Sequence, residues 1–409
     1  MFSAVVIAII WANTPIRETY HHIWETNFGI GFGEYSLNHS LHQWVNDGLM
    51  AIFFFVVGLE LKREFIAGEL SSFRKAVLPL AAALGGMLAP AVIYILVNRG
   101  LPSQAGWGIP MATDIVFALA LLTFGGKSVS LSAKVFLVAL ATVDDLGAVL
   151  VIAFFYSSDL SFISLGSGIA LLAILIAANC SGIRSSIFYA LIGIGGVWLA
   201  FLLSGVHATI AGVLVAFTIP ARTRTDEKGY SRSINLLIAE FDSEIPAQGP
   251  LLTQKQHQII SSIKNVSSEA ATPLQLIEET LHPWVTFLII PLFALSNAGV
   301  EIRANFFTDI VNPVSIGVFT GLVFGKIAGV LIFTWLLVKL NIATLPQQIT
   351  WKHVIGLGLL AGVGFTMSLF ITALAFTDSQ MIDQSKYGIL LASLGAAILG
   401  VLTLRRIKQ

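Results

Sequence analysis

The chain has 409 residues and no net charge; 56% of its residues are hydrophobic and only 11% are charged. A soluble globular protein carries about 25% charged residues, so this composition excludes an ordinary soluble domain and indicates a membrane protein. The neutral balance gives no sign of a nucleic-acid partner, and the single cysteine, Cys180, excludes an intrachain disulfide framework and a cysteine-based metal cluster.

Apolar runs of membrane-spanning length recur along the whole chain and predict an all-α polytopic membrane protein, a single transmembrane domain over 1–409. The first run is short for a full span, and we interpret it as the end of a longer first helix. We predict about twelve spans, at 1–13, 41–61, 76–97, 105–124, 135–156, 161–180, 184–203, 204–219, 284–300, 314–338, 353–376 and 387–404. This even number places both termini on one side of the membrane.

Two connections between the spans differ from simple loops. Residues 26–38 alternate apolar and small residues, with glycines at turn positions, and predict a short periplasmic β-hairpin. Residues 221–280 form a polar stretch of mixed charge with scattered apolar positions. We expect this stretch to be a cytoplasmic loop, partly helical or disordered, and an embellishment of the transmembrane domain.

The distribution of Lys and Arg decides the orientation. Of the 23 basic residues, 18 fall in loops on the side of the termini, four fall in the opposite loops, and Lys326 lies within a span. Because cytoplasmic loops carry the excess of Lys and Arg, both termini are predicted to be cytoplasmic.

Four ionisable residues lie deep within apolar runs. Asp144 and Asp145 are near the middle of 135–156, Asp114 lies in 105–124, and Lys326 is twelve residues from either end of 314–338. Lys326 is therefore about 18 Å from either membrane surface, too far for its side chain to reach water. Each unpaired charge costs about 2.5–3.5 kcal/mol. This cost favours a functional site over accidental or architectural charges.

The four charges suggest an ion-exchange chemistry. Adjacent helical residues point about 100° apart, so one of the two carboxylates at 144 and 145 pairs with Lys326 while the other faces a water-filled funnel. Carboxylate oxygens are hard ligands that suit a small alkali cation. Two coupled carboxylates beside a lysine titrate as one system, so protons and cations are expected to compete for the same oxygens.

Two spans carry helix-weakening residues. The segment 108–115 has Gly108 and Pro110 just before Thr113 and Asp114, and the segment 356–370 is rich in glycine, with Gly356, Gly358, Gly362 and Gly364. Paired interrupted spans mark the binding site in transporters built from inverted repeats. There, half-helix ends place partial charges at the midplane, where Asp114 is expected to offset the positive ends.

Several long blocks carry a family resemblance. At ATDIVFAL, LATVDDLGAV, SGVHATIAGV, LHPWVTFLIIPLFALSNAG and GFTMSLFI the sequence resembles the NhaA family of bacterial Na⁺/H⁺ antiporters, and NDGLMAIFFFVVGLELKREF and FGKIAGV agree. The resemblance covers nearly the whole chain apart from 221–275. It implies inverted-topology repeats with two interrupted helices crossing at the midplane, an architecture for which this family is itself a standard example.

The resemblance also implies roles for individual residues. Asp145 would be the main carrier of cation and proton, Asp144 would pair with Lys326, and Thr113 and Asp114 would lie at the helix crossing and complete the cation-binding set. Five residues match cytoplasmic-side positions linked to pH response, namely Glu60, Arg63, Glu64, His207 and Glu278. Asp47 falls within another matched block. The hairpin would join two protomers into a homodimer.

Three features depart from the family pattern. The first span is short, an insertion of about forty residues precedes LHPW, and the positions before Glu278, Leu276 and Ile277, are apolar where the family pattern is basic. The last two lie near the expected pH-responsive residues, so they bear on the pH of activation and leave the transport core unchanged.

These observations predict a multi-pass protein of the bacterial inner membrane that expels Na⁺ or Li⁺ in exchange for periplasmic protons, electrogenically, under pH control and without a cofactor.

The alternatives are a sodium-coupled solute symporter, an intramembrane aspartyl protease and an ion channel. A protease leaves Lys326 unexplained, and it needs two aspartates on different helices, usually in a Gly-x-Gly-Asp context that surrounds none of Asp114, Asp144 and Asp145. A channel is disfavoured because concentrated binding groups trap a permeating ion. For His207, a pH switch and a hydrogen-bonded structural histidine both stay open.

Overall fold

The computed structural model describes residues 1–32, 35–124, 130–157, 160–244, 251–302 and 310–407. Part of the predicted hairpin (33–34) and three residues used for the orientation, Lys127, Arg303 and Lys408, lie outside the described residues.

In chain order the helices are α1 (Phe2–Ala12), α2 (Arg17–Glu25), α3 (Leu41–Ala67), α4 (Phe73–Val97), the 3₁₀-helix α5 (Pro102–Met111), α6 (Ile115–Phe124), α7 (Leu131–Phe155), α8 (Phe162–Cys180), α9 (Ser186–Leu202), α10 (Ala208–Thr218), α11 (Glu227–Ser243), α12 (Gln254–Ala270), α13 (Pro273–Asn297), α14 (Pro313–Lys339), α15 (Trp351–Ala361), α16 (Phe365–Ala375) and α17 (Ser379–Arg405).

The described residues contain seven helices that are long and apolar enough to cross a membrane, namely α3, α4, α7, α8, α13, α14 and α17. Two bent pairs, α5 with α6 and α15 with α16, raise this number to nine when each pair counts as one span. Helices α1, α9 and α10 are apolar but shorter. The chain is thus a mostly helical, multi-pass membrane protein; the number of twelve spans and the inverted repeats stay predictions.

Large apolar side chains are exposed around the helical bundle. Phe154 on α7, Ile187 on α9 and Phe287 on α13 are each more than 70% exposed, which in water would be costly. In a bilayer the same side chains face lipid tails at no such cost. The outward-facing apolar surface therefore agrees with the membrane class that the composition predicts.

Two neighbouring helices approach each other through glycines. A Cβ on Gly85 of α4 would lie 2.2 Å from the carbonyl oxygen of Gly329, and a Cβ on Gly329 of α14 would lie 1.9 Å from the carbonyl oxygen of Gly85. Only residues without a side chain permit so close a backbone contact. This contact packs α14 closely against α4 three residues from Lys326.

Several predicted boundaries need correction: α17 begins at Ser379 and not at 387, and α3 runs to Ala67 and not to 61. Helix α13 begins at Pro273, not at 284, because the Thr272 hydroxyl accepts a hydrogen bond from Gln275 N (3.2 Å) and Pro273 is suited to a first helical position. Its polar first turns had the composition of a loop. The spans predicted at 184–203 and 204–219 are the shorter helices α9 and α10.

The stretch predicted at 221–280 is largely helical where it is described. It contains α11, α12 and the first turns of α13, and the two inserted helices contact each other, for example through Tyr230 Oη and Ser267 Oγ (3.2 Å). Asp226 is the N-cap of α11, and its side chain accepts a hydrogen bond from Gly229 N (3.0 Å). The ends of this helical pair are held together, since Arg224 N donates to the carbonyl of Glu269 (3.1 Å).

Strands β1 (Asn27–Phe32) and β2 (Tyr35–Ser40) pair antiparallel, with Asn27 opposite Ser40 and Phe32 opposite Tyr35. The second strand therefore ends two residues beyond the predicted boundary at 38. Ser40 stops it because its hydroxyl accepts a hydrogen bond from Gln43 N (3.2 Å) and begins α3.

Candidate cation site

Two interrupted spans meet at their breaks. The pair α5 and α6 bends by 48° around residues 112–114, and the pair α15 and α16 bends by 45° around residues 362–364. The two breaks are joined directly, since Asp114 N donates to the carbonyl oxygen of Val363 at 2.7 Å. Glycine is required here, because a Cβ on Gly362 would lie 2.4 Å from the carbonyl oxygen of Leu322. The second break thus falls at Gly362–Gly364, while the helix runs unbroken through Gly356 and Gly358.

The Asp114 carboxylate caps both half-helices that begin at the breaks. Its Oδ1 accepts from Phe117 N (3.0 Å) in the first turn of α6, and its Oδ2 accepts from Thr366 N (3.1 Å) and Thr366 Oγ1 (2.5 Å) in the first turn of α16. Helix N-termini carry partial positive charge and free N–H groups. One buried carboxylate therefore accepts hydrogen bonds from the first turns of two helices.

Asp144 of α7 lies beside this crossing. It forms an ion pair with Lys326 of α14 through Oδ2, and the Thr113 hydroxyl lies 2.5 Å from the same oxygen and 2.8 Å from the carbonyl oxygen of Ala361. The exposed fractions of Asp144 and Lys326 are 1% and 0%. The Asp144 carboxylate on α7 is thus contacted from α14 and from the first break, and the Thr113 hydroxyl also reaches the C-terminal end of α15.

Asp145 completes the group from the neighbouring position on α7. It is 2% exposed, and the charges of Asp144, Asp114 and Glu60 are near enough to act on it. Within the described part of the chain, Oδ1 of Asp144 and Oδ1 of Asp145 are buried and have no hydrogen-bond partner. Buried oxygens in this state are costly, and a bound proton or a hard cation would satisfy them.

Lys326 owes its position to features that the sequence did not single out. It follows a π-helical turn over Gly321–Gly325, a departure that is frequent at functional sites. On α4, a Cβ at Gly86 would lie 3.6 Å from Lys326 Cδ, so the glycine leaves room for the lysine stem. The spacing of Gly85, Gly86 and Gly329 was the available sequence signal, but it gains meaning only once the two helices are known to touch.

A second polar cluster joins α3 to α13. Arg63 forms an ion pair with Glu278, whose side chain is buried, while Glu64 Oε2 accepts from Glu69 N at 3.0 Å. Glu60 lies near enough to both Glu278 and Asp145 for their charges to interact. The cluster is therefore linked to the cation site through Glu60.

His207 does not belong to this cluster. Lys62, beside Arg63, donates to the carbonyl oxygens of Phe217 (2.7 Å) and Ile219 (2.5 Å) at the C-terminal end of α10. His207 precedes the opposite end of α10, about 16 Å away by helical rise. His207 thus lies apart from the other four residues of the predicted group, and a shared role of the five in pH response stays a prediction.

At its own end of α10, His207 is hydrogen-bonded. Its Nε2 lies 2.8 Å from the carbonyl oxygen of Tyr156. Because a carbonyl oxygen only accepts, Nε2 carries the proton in this contact. Asp47 is near enough to His207 for their charges to interact. This hydrogen bond agrees with a structural role for His207, and its role in pH response stays a prediction.

Comparison with known proteins agrees with this geometry. Residues 1–404 match the family model described as Na⁺/H⁺ antiporter 1. The chain belongs to this family. Among curated relatives, the Na⁺/H⁺ antiporter NhaA of Oleidesulfovibrio alaskensis is 48% identical, covering 99% of this chain and 90% of that protein. The Na⁺/H⁺ antiporter NhaA 2 of Syntrophotalea carbinolica is 46% identical, covering 99% and 93%, and the NhaA of Acidithiobacillus ferrooxidans is 45% identical, covering 100% and 94%.

Proposed function

We propose that this protein is a Na⁺/H⁺ antiporter in which sodium ions and protons compete for the carboxylates of Asp144 and Asp145. The observation that carries the proposal is the pair of buried carboxylate oxygens without partners, set beside a lysine that forms an ion pair with one of the two aspartates. The family match over nearly the whole chain supports the same activity.

The cation ligands would be Asp145, Oδ1 of Asp144 and the oxygen of Thr113. Carboxylates and a hydroxyl are the hard donors that Na⁺ and Li⁺ prefer, and the Thr113 hydroxyl is already at the site. We leave Asp114 out of this set, although the sequence had suggested it. Both of its oxygens are engaged at the helix N-termini, so its role is to cap.

Exchange follows from the competition. In acidic surroundings the aspartates hold protons and exclude Na⁺; in alkaline surroundings they ionise and bind it. Lys326 neutralises Asp144 when no cation is present, and it would release that carboxylate when Na⁺ arrives. If Asp145 gives up one proton for each Na⁺ and the Asp144–Lys326 pair gives up a second when Na⁺ displaces the lysine, one net charge moves per cycle and the exchange is electrogenic.

The orientation and the assembly are part of the proposal. Both termini and the inserted helices would lie in the cytoplasm, as the distribution of Lys and Arg indicates. The cluster of Glu60, Arg63, Glu64 and Glu278 would then face the cytoplasm and adjust exchange to pH. The β-hairpin would lie in the periplasm and join two protomers.

Everted vesicles test the activity. With an acidic interior and a pH-sensitive dye, added Na⁺ or Li⁺ should dissipate the gradient through the native protein, and Asp145→Asn should abolish this response. Asp242→Asn, the same change at an exposed position on α11, is the matched control and should behave as the native protein. Normal exchange by Asp145→Asn would refute the assignment of Asp145.

A further inference from the structure

The first turn of α16 holds a side chain that the proposed exchange does not use. Thr366 is buried, and its hydroxyl lies 2.5 Å from Oδ2 of Asp114, in addition to the bond from its own N–H (3.1 Å). Capping a helix end needs only backbone N–H donors. The hydroxyl is therefore an extra, charge-assisted bond, stronger than a neutral one.

The direction of this hydroxyl is unlike that of other helical threonines nearby. Thr372, two turns along α16 and also buried, donates to the carbonyl of Ser368 (2.9 Å), as helical threonines commonly do. Thr366 instead reaches out of its own helix to the other interrupted span. It thereby joins residues that are 252 positions apart in the sequence.

The residue that Thr366 holds is adjacent to a cation ligand. Asp114 follows Thr113, whose hydroxyl lies 2.5 Å from Oδ2 of Asp144. One peptide bond thus separates the side chain that caps the two helices from the side chain that contacts the exchanging carboxylate. A shift of Asp114 away from α16 would displace Thr113 from Asp144 as well.

We propose that Thr366 is a positioning residue for cation binding: its hydroxyl fixes Asp114 against the N-terminus of α16 and so keeps Thr113 on Asp144. This inference rests on the proposed antiport and adds a determinant of cation affinity to it. Thr366 itself does not touch the cation. Its effect is exerted through Asp114 and the backbone.

The test is Na⁺/H⁺ exchange in proteoliposomes, measured against Na⁺ concentration at fixed pH. Thr366→Val removes the hydroxyl while keeping the shape, and it should raise the KM for Na⁺ and Li⁺ about tenfold with the maximal rate within about twofold. Thr366→Ser keeps the hydroxyl and should restore a near-native KM. Thr372→Val, the same change in the same helix, should leave the KM unchanged.

The outcomes separate this inference from the proposed function. If the native protein shows no Na⁺-dependent exchange, the antiport itself fails. If the native protein exchanges but Thr366→Val has a native KM, or Thr366→Ser is impaired as strongly as Thr366→Val, the positioning role is refuted. Should Thr366→Val not accumulate in the membrane, Thr366→Ala gives the same comparison with Thr372→Ala as its control.

Discussion

At the scale of single residues, the buried ion pair between Lys326 and Asp144 is central to the site. Lys326 and Asp144 are both removed from water, and each would be very costly alone. The sequence predicted that a carboxylate would pair with the lysine, because four charges in apolar runs demand partners, and the structure contains this pair. The sequence also predicted that Asp114 offsets the positive helix ends, but not that Thr366 supplies its third donor, since nothing in the order of residues says that these two meet.

The ion pair makes a prediction for stability. Lys326→Ala leaves Asp144 buried without its cation, so at neutral pH we expect a loss of about 3–5 kcal/mol in the free energy of unfolding. As the pH is lowered the loss should shrink, because the lone carboxyl group can take up a proton and become neutral. Melting temperatures of the purified protein across pH measure both effects.

The matched control is Lys264→Ala, which removes an exposed lysine from α12 and should melt as the native protein does at every pH. A Lys326→Ala protein as stable as the native one at neutral pH would show that the pair contributes nothing.

At the scale of the elements, the crossing of the interrupted spans positions the site. The sequence predicted that two helices would be weakened and named the segments, but glycine content alone could not tell a break from close packing. Gly356 and Gly358 stay helical, with a Cβ at Gly356 meeting Leu404 of α17, while the chain breaks at Gly362–Gly364. The distinction depends on which neighbour each glycine touches, and that is tertiary information. The polar first turns of α13 were missed because their composition alone is that of a loop.

The crossing predicts a strong effect of a single methyl group. At Gly362 a Cβ would lie 2.4 Å from the carbonyl oxygen of Leu322, so Gly362→Ala must push the backbone of the break away from α14. We expect the exchange rate to fall at least tenfold and the melting temperature to drop, since overpacking costs about 1–3 kcal/mol.

Gly395→Ala is the control for Gly362→Ala. A Cβ at Gly395 of α17 meets nothing within 4 Å, and alanine favours a helix by up to about 1 kcal/mol over glycine. This variant should therefore exchange normally and be at least as stable as the native protein. Normal exchange by Gly362→Ala would mean that the break tolerates displacement.

At the scale of the whole molecule, the inserted helices α11 and α12 are attached through a narrow base. Arg224 N bonds the carbonyl of Glu269, and Arg184, between α8 and α9, donates to the carbonyl of Ala271 (2.7 Å). The base continues into α13, which carries Glu278. The sequence could indicate that this region is polar and partly helical, but not that its ends meet, because that contact is made by backbone atoms far apart in the chain.

Removal of the inserted helices should therefore spare transport. Because residues 224 and 269 are hydrogen-bonded neighbours, a short Gly-Ser linker can replace 226–268 without moving either end. We expect the maximal exchange rate to stay within about twofold of the native rate, since no residue of the cation site lies in this region.

A matched variant replaces 226–268 by a linker and also carries Arg184→Gln, which removes the Arg184 hydrogen bonds to the base. Exchange measured against pH in proteoliposomes compares the two. Loss of exchange by the simple deletion, in a protein that still reaches the membrane, would contradict the separation of the inserted helices from transport.

The central claim is that Na⁺ and protons compete for Asp144 and Asp145, and proton release on Na⁺ binding measures this directly. Purified protein in weakly buffered detergent solution, titrated with Na⁺ at alkaline pH, should release protons in proportion to the Na⁺ bound, approaching two per ion. Asp145→Asn should bind no Na⁺ and release none. Saturable Na⁺ binding by the native protein without proton release would contradict the account.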